Sequence, residues 1–251
     1  MPEFEIRTLR LEEIPRIVEM VRASFDSRLG SYMIYGQSGI ETYLSVPFKY
    51  PKLLHDGVSL VAVIDDGVVG FAEFRLTDSN TAFLSYICVD PDVQGRGIAG
   101  LLMRRFLAME PSITALSLDV FHSNVRARNL YEKIGFQRSA TSAWVSRSLP
   151  PPKGAVGIRS LPAAMAAFES HGFCEFDVVL DHDVTRVGLL GLHTVRCTSA
   201  RSFENDVLLG GLRQVFPQLT AAFTVLPQAQ LSSLKIAHEV LTLSDRMTLA
   251  I

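Results

Sequence analysis

Residues 86–109 read YICVDPDVQGRGIAGLLMRRFLAM: an apolar strand-like run, a polar turn with glycines at 95, 97 and 100, and a run of helix length. A strand that enters a helix through such a turn makes a particular kind of site. The first backbone N–H groups of a helix lack intrahelical partners, and the helix dipole places partial positive charge beside them. Glycines let the backbone turn sharply and let an anion approach closely. The stretch therefore predicts an α/β chain with a phosphate-binding turn. Two spellings overlap in it: G-x-G-x-x-G through Gly95, Gly97 and Gly100, and Q-x-x-G-x-A through Gln94, Gly97 and Ala99.

The surroundings separate the two. VSLVAVI (58–64) and VVGFAEFRL (68–76) flank DDG, a hairpin signal, and TAFLSYICV (81–89) adds a third strand to an antiparallel meander. A dinucleotide-binding unit begins instead with a parallel βαβ sheet whose strand runs nearly into the first glycine; here DPDVQ intervenes. Asp119 does stand about twenty positions on, where a ribose partner is wanted, but the meander argues against that assignment. No G-K-[ST] closes the turn, so it is not a nucleoside-triphosphate loop either. After the helix at 98–109, ended by Pro111, come a strand TALSLDV (114–120), a helix near 124–134 ended at Gly135, and one or two strands in FQRSATSAWVSRSL (136–149).

Before the meander, FEIRTL (4–9) alternates like a strand. A helix follows with Pro15 in its first turn and Ile14, Ile17, Val18, Val21 and Phe25 on one face. Residues 29–57 hold no clean period and read as an irregular, partly helical excursion of the kind that lines binding sites. PPP at 150–152 with Lys153 and Gly154 is the best linker, dividing a domain of residues 1–149 from one of 154–251. The second part echoes the first: GIRSLPAAMAAF (157–168) follows EIRTLRLEEIPRI (5–17), and VVLDHDVTRVGLLGL (178–192) follows VAVIDDGVVGFAEF (61–74). A diverged internal repeat is favoured over an unrelated α/β tail. TSARSFEND (198–206) takes the place of the glycine turn, so a second copy is expected to have lost ligand binding.

Composition closes off other classes. With 48% apolar and 20% charged residues among 251, the chain has the balance of a folded protein. A net charge of −2 gives no positive field for nucleic acid or an anionic membrane. The charged start MPEFEIRTLRLEEIP lacks the apolar core of a signal peptide, and no run of eighteen apolar residues spans a bilayer. Cys88, Cys174 and Cys197 form no C-x-x-C and suit a reducing cytoplasm. Asp181, His182 and Asp183 lie together at a hairpin turn and read as that turn, so no metal is expected.

The element order, VDPDVQGRGIAGLLM (89–103) and NVRARNLYEKIGF (124–136) together resemble the GCN5-related N-acetyltransferase (GNAT) superfamily. Gln94, Gly97 and Ala99 match one motif; Asn124, Ala127, Leu130, Tyr131, Glu132, Lys133, Gly135 and Phe136 match the other. The resemblance implies an α/β fold with a mixed sheet, followed by a smaller, degenerate GNAT-like C-terminal domain. It implies acetyl-CoA as co-substrate, lying where two strands splay apart. The backbone of Ile87, Cys88 and Val89 would then hold the pantetheine arm and acetyl carbonyl. The amides of Gly95, Arg96, Gly97, Ile98, Ala99 and Gly100 would hold the pyrophosphate. Asn124 would touch the cofactor arm, and Tyr131 would protonate the departing thiolate.

Direct transfer to a primary amine also needs a group that takes the amine's proton, since an alkyl ammonium is no nucleophile at neutral pH. Asp119 stands five residues before Asn124, where some relatives that acetylate protein amino termini carry glutamate; Phe121 stands where they have arginine. Glu73 is the second candidate, and Asp119 is slightly favoured. His122 reads as a loop residue, and Cys88 has no neighbouring base that would make it a nucleophile. A non-catalytic acyl-CoA sensor or scaffold is the alternative function. Acceptor, acyl-chain length and oligomeric state are not legible.

Overall fold

A computed structural model describes residues 4–50, 57–78 and 80–251. The first half of the chain runs β1 (Glu5–Thr8), α1 (Ile14–Ser24), α2 (Ile40–Lys49), β2 (Gly57–Ile64), β3 (Gly67–Asp78), β4 (Thr81–Val89), α3 (Ile98–Met109), β5 (Ala115–Phe121), α4 (Val125–Ile134) and β6 (Gln137–Ser148). The second half runs β7 (Gly157–Arg159), α5 (Leu161–His171), β8 (Phe173–Leu180), β9 (Asp183–Leu190), β10 (Thr194–Cys197), α6 (Ala200–Glu204), α7 (Asp206–Val215), β11 (Ala221–Pro227) and β12 (Glu239–Ala250).

Two compact units share these elements. Unit one comprises residues 1–27, 44–140 and 245–251; unit two comprises 28–43 and 141–244. The sequence reading draws its boundary at the prolines instead. That run is anchored within unit two: the Arg213 guanidinium donates to the carbonyls of Leu149 and Pro150 at 3.2 and 3.0 Å. Gly210 lets α7 approach it so closely that an added Cβ would meet the Pro151 carbonyl oxygen at 3.0 Å.

In unit one β1, β2, β3 and β4 pair antiparallel in order, and β4 then pairs parallel with β5. The C-terminal end of β12 lies next to β5, followed by the start of β6. The β2–β3 hairpin turns through Asp65 and Asp66, both left-handed (φ 47° and 64°), the primed turn that matches strand twist. Alternation then sorts the strand side chains. Ala72, Phe74, Leu84, Leu116 and Leu118 face α3 and α4, and Phe74 stacks on Phe106 at 4.0 Å between centroids. Cys88 faces α1, whose Ile17, Val18 and Val21 are buried as the helical spacing predicted. Pro15 sits in the first turn of α1. The expected irregular segment contains more helix than its composition implies: α2 carries Pro47 in its interior, and two short 3-10 turns precede it. Residues 51–56 of that segment lie outside the described residues.

Unit two repeats the order. β7, β8, β9 and β10 pair antiparallel, and β10 pairs parallel with β11, which pairs antiparallel with residues 142–148 of β6. Asp181 and His182 form the β8–β9 turn, where unit one has its own hairpin turn. A short 3-10 turn, Gln228–Ser233, stands in place of α4. The core gathers Val178, Val187, Val195, Phe203, Leu208 and Leu212 among others. No described helix is long and apolar enough to cross a membrane, and no group of acidic, histidine or cysteine residues among the described residues is arranged to hold a metal.

Candidate functional site

The site begins with a break in a ladder. β4 and β5 are paired only from Thr81↔Ala115 to Leu84↔Leu118. Immediately afterwards β4 carries a bulge: Leu84 pairs with Phe74 and Tyr86 with Glu73, so Ser85 is extra. A bulge bends its strand and ends regular pairing. Tyr86–Val89 and Asp119–Phe121 therefore run on without bonding each other.

Backbone alternation decides which groups face the opening. Asp90 N–H donates to the Val69 carbonyl at 2.8 Å, so residues 90, 88 and 86 turn their amides toward β3. Ile87 and Val89 turn theirs toward the gap. Of the three residues expected to offer backbone groups, Cys88 does not. Its thiol is buried and pushed up to about 12 by desolvation, which removes it as a nucleophile.

Past Val89 the chain enters the glycine turn. Gln94 Nε2 donates to the Val89 carbonyl at 2.9 Å, and its Oε1 accepts from the Arg126 guanidinium. One side chain thus ties the end of β4 to the first turn of α4. Gly95 and Gly97 are left-handed at φ 83° and 80°, and a Cβ on either would meet nothing within 4 Å. The glycines are needed for their backbone conformation, and the space above them is open. Gly97 is also the N-cap of α3 and has no side chain with which to cap it. The amides of Ile98, Ala99 and Gly100 accordingly have no intrahelical acceptor, while the Ile98 side chain is buried in the core. Arg96 is exposed on the same turn. A diphosphate fits this arrangement: unpaired amides, a positive dipole end, and room where side chains would stand.

Asn124 is the N-cap of α4, its Oδ1 accepting from the Ala127 amide at 3.1 Å. Tyr131 lies about two turns further on, 5% exposed and packed on Phe136 at 5.6 Å. Burial pushes its phenol above the ordinary tyrosine range, so it stays protonated wherever a thiol titrates. Such a phenol is a hydrogen-bond donor to a departing thiolate more than a strong acid.

The candidate bases fall on the other face of the sheet from Tyr131. Asp119 alternates with Leu118 and Val120 of the core, and Glu73 with Ala72 and Phe74. Asp119 is engaged there: Arg246 Nε and a terminal nitrogen bond its two oxygens at 2.5 and 2.9 Å, and the guanidinium also lies 4.9 Å from the Phe83 ring centre. Glu73 stands opposite Tyr86 in the ladder. Sequence reasoning missed Arg246 and also Asp245, a buried carboxylate 2.8 Å from His122 Nε2 with Arg128 and Arg138 at 3.8 and 3.9 Å. His122 Nε2 is buried and has no hydrogen-bond partner despite this proximity. Both residues come from the last strand, β12.

Known proteins resemble parts of this chain. Residues 22–136 match the model of the acetyltransferase (GNAT) family. That match covers a little under half of the chain. The chain is 39% identical over 85 residues to N-acetylaspartate synthetase of Rattus norvegicus, covering 33% of this chain and 28% of that protein. It is 29% identical over 138 residues to peptidyl-lysine N-acetyltransferase YjaB of Salmonella typhimurium, covering 55% of this chain and 86% of that protein. The chain thus spans little more than a quarter of the first of these relatives and most of the second. Among solved structures, a tandem GNAT protein from the clavulanic acid biosynthesis pathway matches over 99% of this chain and 98% of its own, with 15% identity and a TM-score of 0.68. A GCN5-related N-acetyltransferase from Sphaerobacter thermophilus matches over 98% and 95%, with 12% identity and a TM-score of 0.62. The fold is a GNAT fold followed by a second GNAT-like copy.

Proposed function

We propose that unit one transfers an acetyl group from acetyl-CoA directly to a primary amine. The observation that carries this is the left-handed Gly95–Gly97 turn opening onto an uncapped α3 N-terminus beside an unpaired β4 edge. Acetyl-CoA supplies the activated carbonyl and a thiolate leaving group. The chain's own groups have separable tasks. The amides of residues 95–100 bind the diphosphate. The gap-facing amides of Ile87 and Val89 hold the pantetheine arm and orient the carbonyl, as a strand added to a sheet edge would be held. Asn124 fixes the start of α4 beside the arm. Tyr131 donates a hydrogen bond to the sulfur, and Glu73, or Asp119 once released from Arg246, takes the amine's proton from the opposite face. The free buried thiols fit a reducing cytoplasm.

A second reading, an acyl-CoA sensor that transfers nothing, draws on the engagement of Asp119 with Arg246. Two measurements decide. Acetyl-CoA at about a hundred times its dissociation constant should stabilise the fold by about 2.7 kcal/mol, while NADH should not. Thiol release on adding amines then separates enzyme from sensor. Tyr131→Phe should lower kcat by tenfold or more with acetyl-CoA affinity retained; an unchanged kcat would remove Tyr131 from the chemistry.

A further inference from the structure

The β4–β5 ladder stops at Leu84↔Leu118, yet the two strands are joined again beyond their ends. The Asp90 amide donates to the Val69 carbonyl, and across a trans peptide the Val89 carbonyl points the opposite way, into the gap. Gln94 Nε2 donates to that carbonyl at 2.9 Å. Gln94 Oε1 in turn accepts from the Arg126 guanidinium, in the first turn of α4. The start of α4 is itself fastened to β5, because the Asn124 amide donates to the Phe121 carbonyl at 2.9 Å. A chain of bonds therefore runs from the end of one splayed strand to the end of the other. Its direction is set by Arg126. The two ends of a glutamine amide are alike in shape, but only the nitrogen donates, and a guanidinium cannot accept. Arg126 thus fixes the Gln94 oxygen toward α4 and leaves the nitrogen for Val89.

We propose that Arg126 is a positioning residue for acetyl-CoA: acting through Gln94, it holds the mouth of the β4–β5 gap ready for the pantetheine arm. The proposal rests on the acetyltransferase reading and adds a residue outside both sequence motifs. With its carbonyl taken by Gln94, Val89 offers the arm its amide. A gap set before the cofactor arrives lowers the ordering cost of binding. Arg126 and Gln94 are both exposed, and neither belongs to the core of unit one, so the fold does not need their bond. Its loss should fall on acetyl-CoA affinity and leave the unliganded chain as stable as before.

The test titrates acetyl-CoA calorimetrically into the full chain and its variants. Arg126→Met should raise the dissociation constant about tenfold, the low end for a hydrogen bond to a charged group. Arg126→Lys should restore most of the affinity, because Gln94 takes one N–H donor and an ammonium can supply it. Arg126→Glu should bind no better than Arg126→Met, since a carboxylate would accept from Gln94 Nε2 and draw it off the Val89 carbonyl. In a Gln94→Ala background, Arg126→Met should add nothing, because the arginine has lost the group it positions. The unliganded melting temperature should be the same for Arg126→Met as for the unaltered chain. Wild-type affinity in Arg126→Met, or a lowered melting temperature, overturns the proposal alone. So does an Arg126→Met effect that persists beside Gln94→Ala, which would mean direct contact with the cofactor. No binding of acetyl-CoA by the unaltered chain overturns the acetyltransferase reading and this proposal with it.

Discussion

Unit one and unit two place a strand, a turn and a helix at the same point of the same topology, yet the two helix N-termini are finished differently. In unit one β4 has nine residues, a bulge and a free edge, and it leads through two left-handed glycines to a twelve-residue helix capped by no side chain. In unit two β10 has four residues, and three of them pair with β11. The helix behind it, α6, is five residues long, and its N-terminus is filled from within. Ser199 Oγ accepts from the Ser202 amide at 3.2 Å, and Ser202 Oγ accepts from the Ser199 amide at 3.2 Å. A capping box of this kind uses the donors that a phosphate would take. The difference teaches that topology supplies a helix end but does not by itself make a binding site. What matters is whether the local sequence leaves the amides unmet and the strand unpaired.

The comparison can be broken most severely at the chain's end. Residues 245–251 belong to unit one, where Met247 is buried in the core, Asp245 is buried beside His122, and Ile251 N–H donates to the Thr114 carbonyl at 2.9 Å. Deleting them should abolish stabilisation by acetyl-CoA in a thermal melt, although the deletion lies nearly 150 residues from the glycine turn. Next in size, Gly97→Val should raise the dissociation constant for acetyl-CoA by at least a hundredfold in a binding titration. It forces a β-branched residue to φ 80° and puts its side chain into the open space above the turn. Each unit also buries a thiol whose titration burial pushes up to about 12, Cys88 in one and Cys197 in the other. A raised folded-state value keeps its stabilisation below the unfolded thiol's range and loses it above. Stability should therefore decline as pH climbs from about 9 toward 12, and less steeply when both are replaced by alanine. The smallest effect sharpens the contrast. Ser199→Ala should lower stability by about 1 kcal/mol in denaturant titration and leave acetyl-CoA affinity unchanged.

How much of this was legible follows from where each feature's information lies. The DDG hairpin, the glycine turn, and α4 between Asn124 and Gly135 are local, fixed by turn chemistry and caps, and their residues spell them out. Gly95 and Gly97 are there for their backbone angles, as their spacing within one motif implied. The assignments that changed are non-local. Asp119 lies 127 residues from Arg246, and nothing near Asp119 announces the guanidinium that ties it. The bulge at Ser85 depends on register with β3, so the exclusion of the Cys88 amide from the gap could not be read from β4 alone. The prolines at 150–152 read as a linker because composition does not reveal that Gly210 of α7 packs against them.

The most direct test of the account is the stoichiometry of acetyl-CoA binding by calorimetric titration of the full chain. The account predicts one site per chain, lost in Gly97→Val and kept in Ser199→Ala. Two sites, or a single site that survives Gly97→Val, would contradict it.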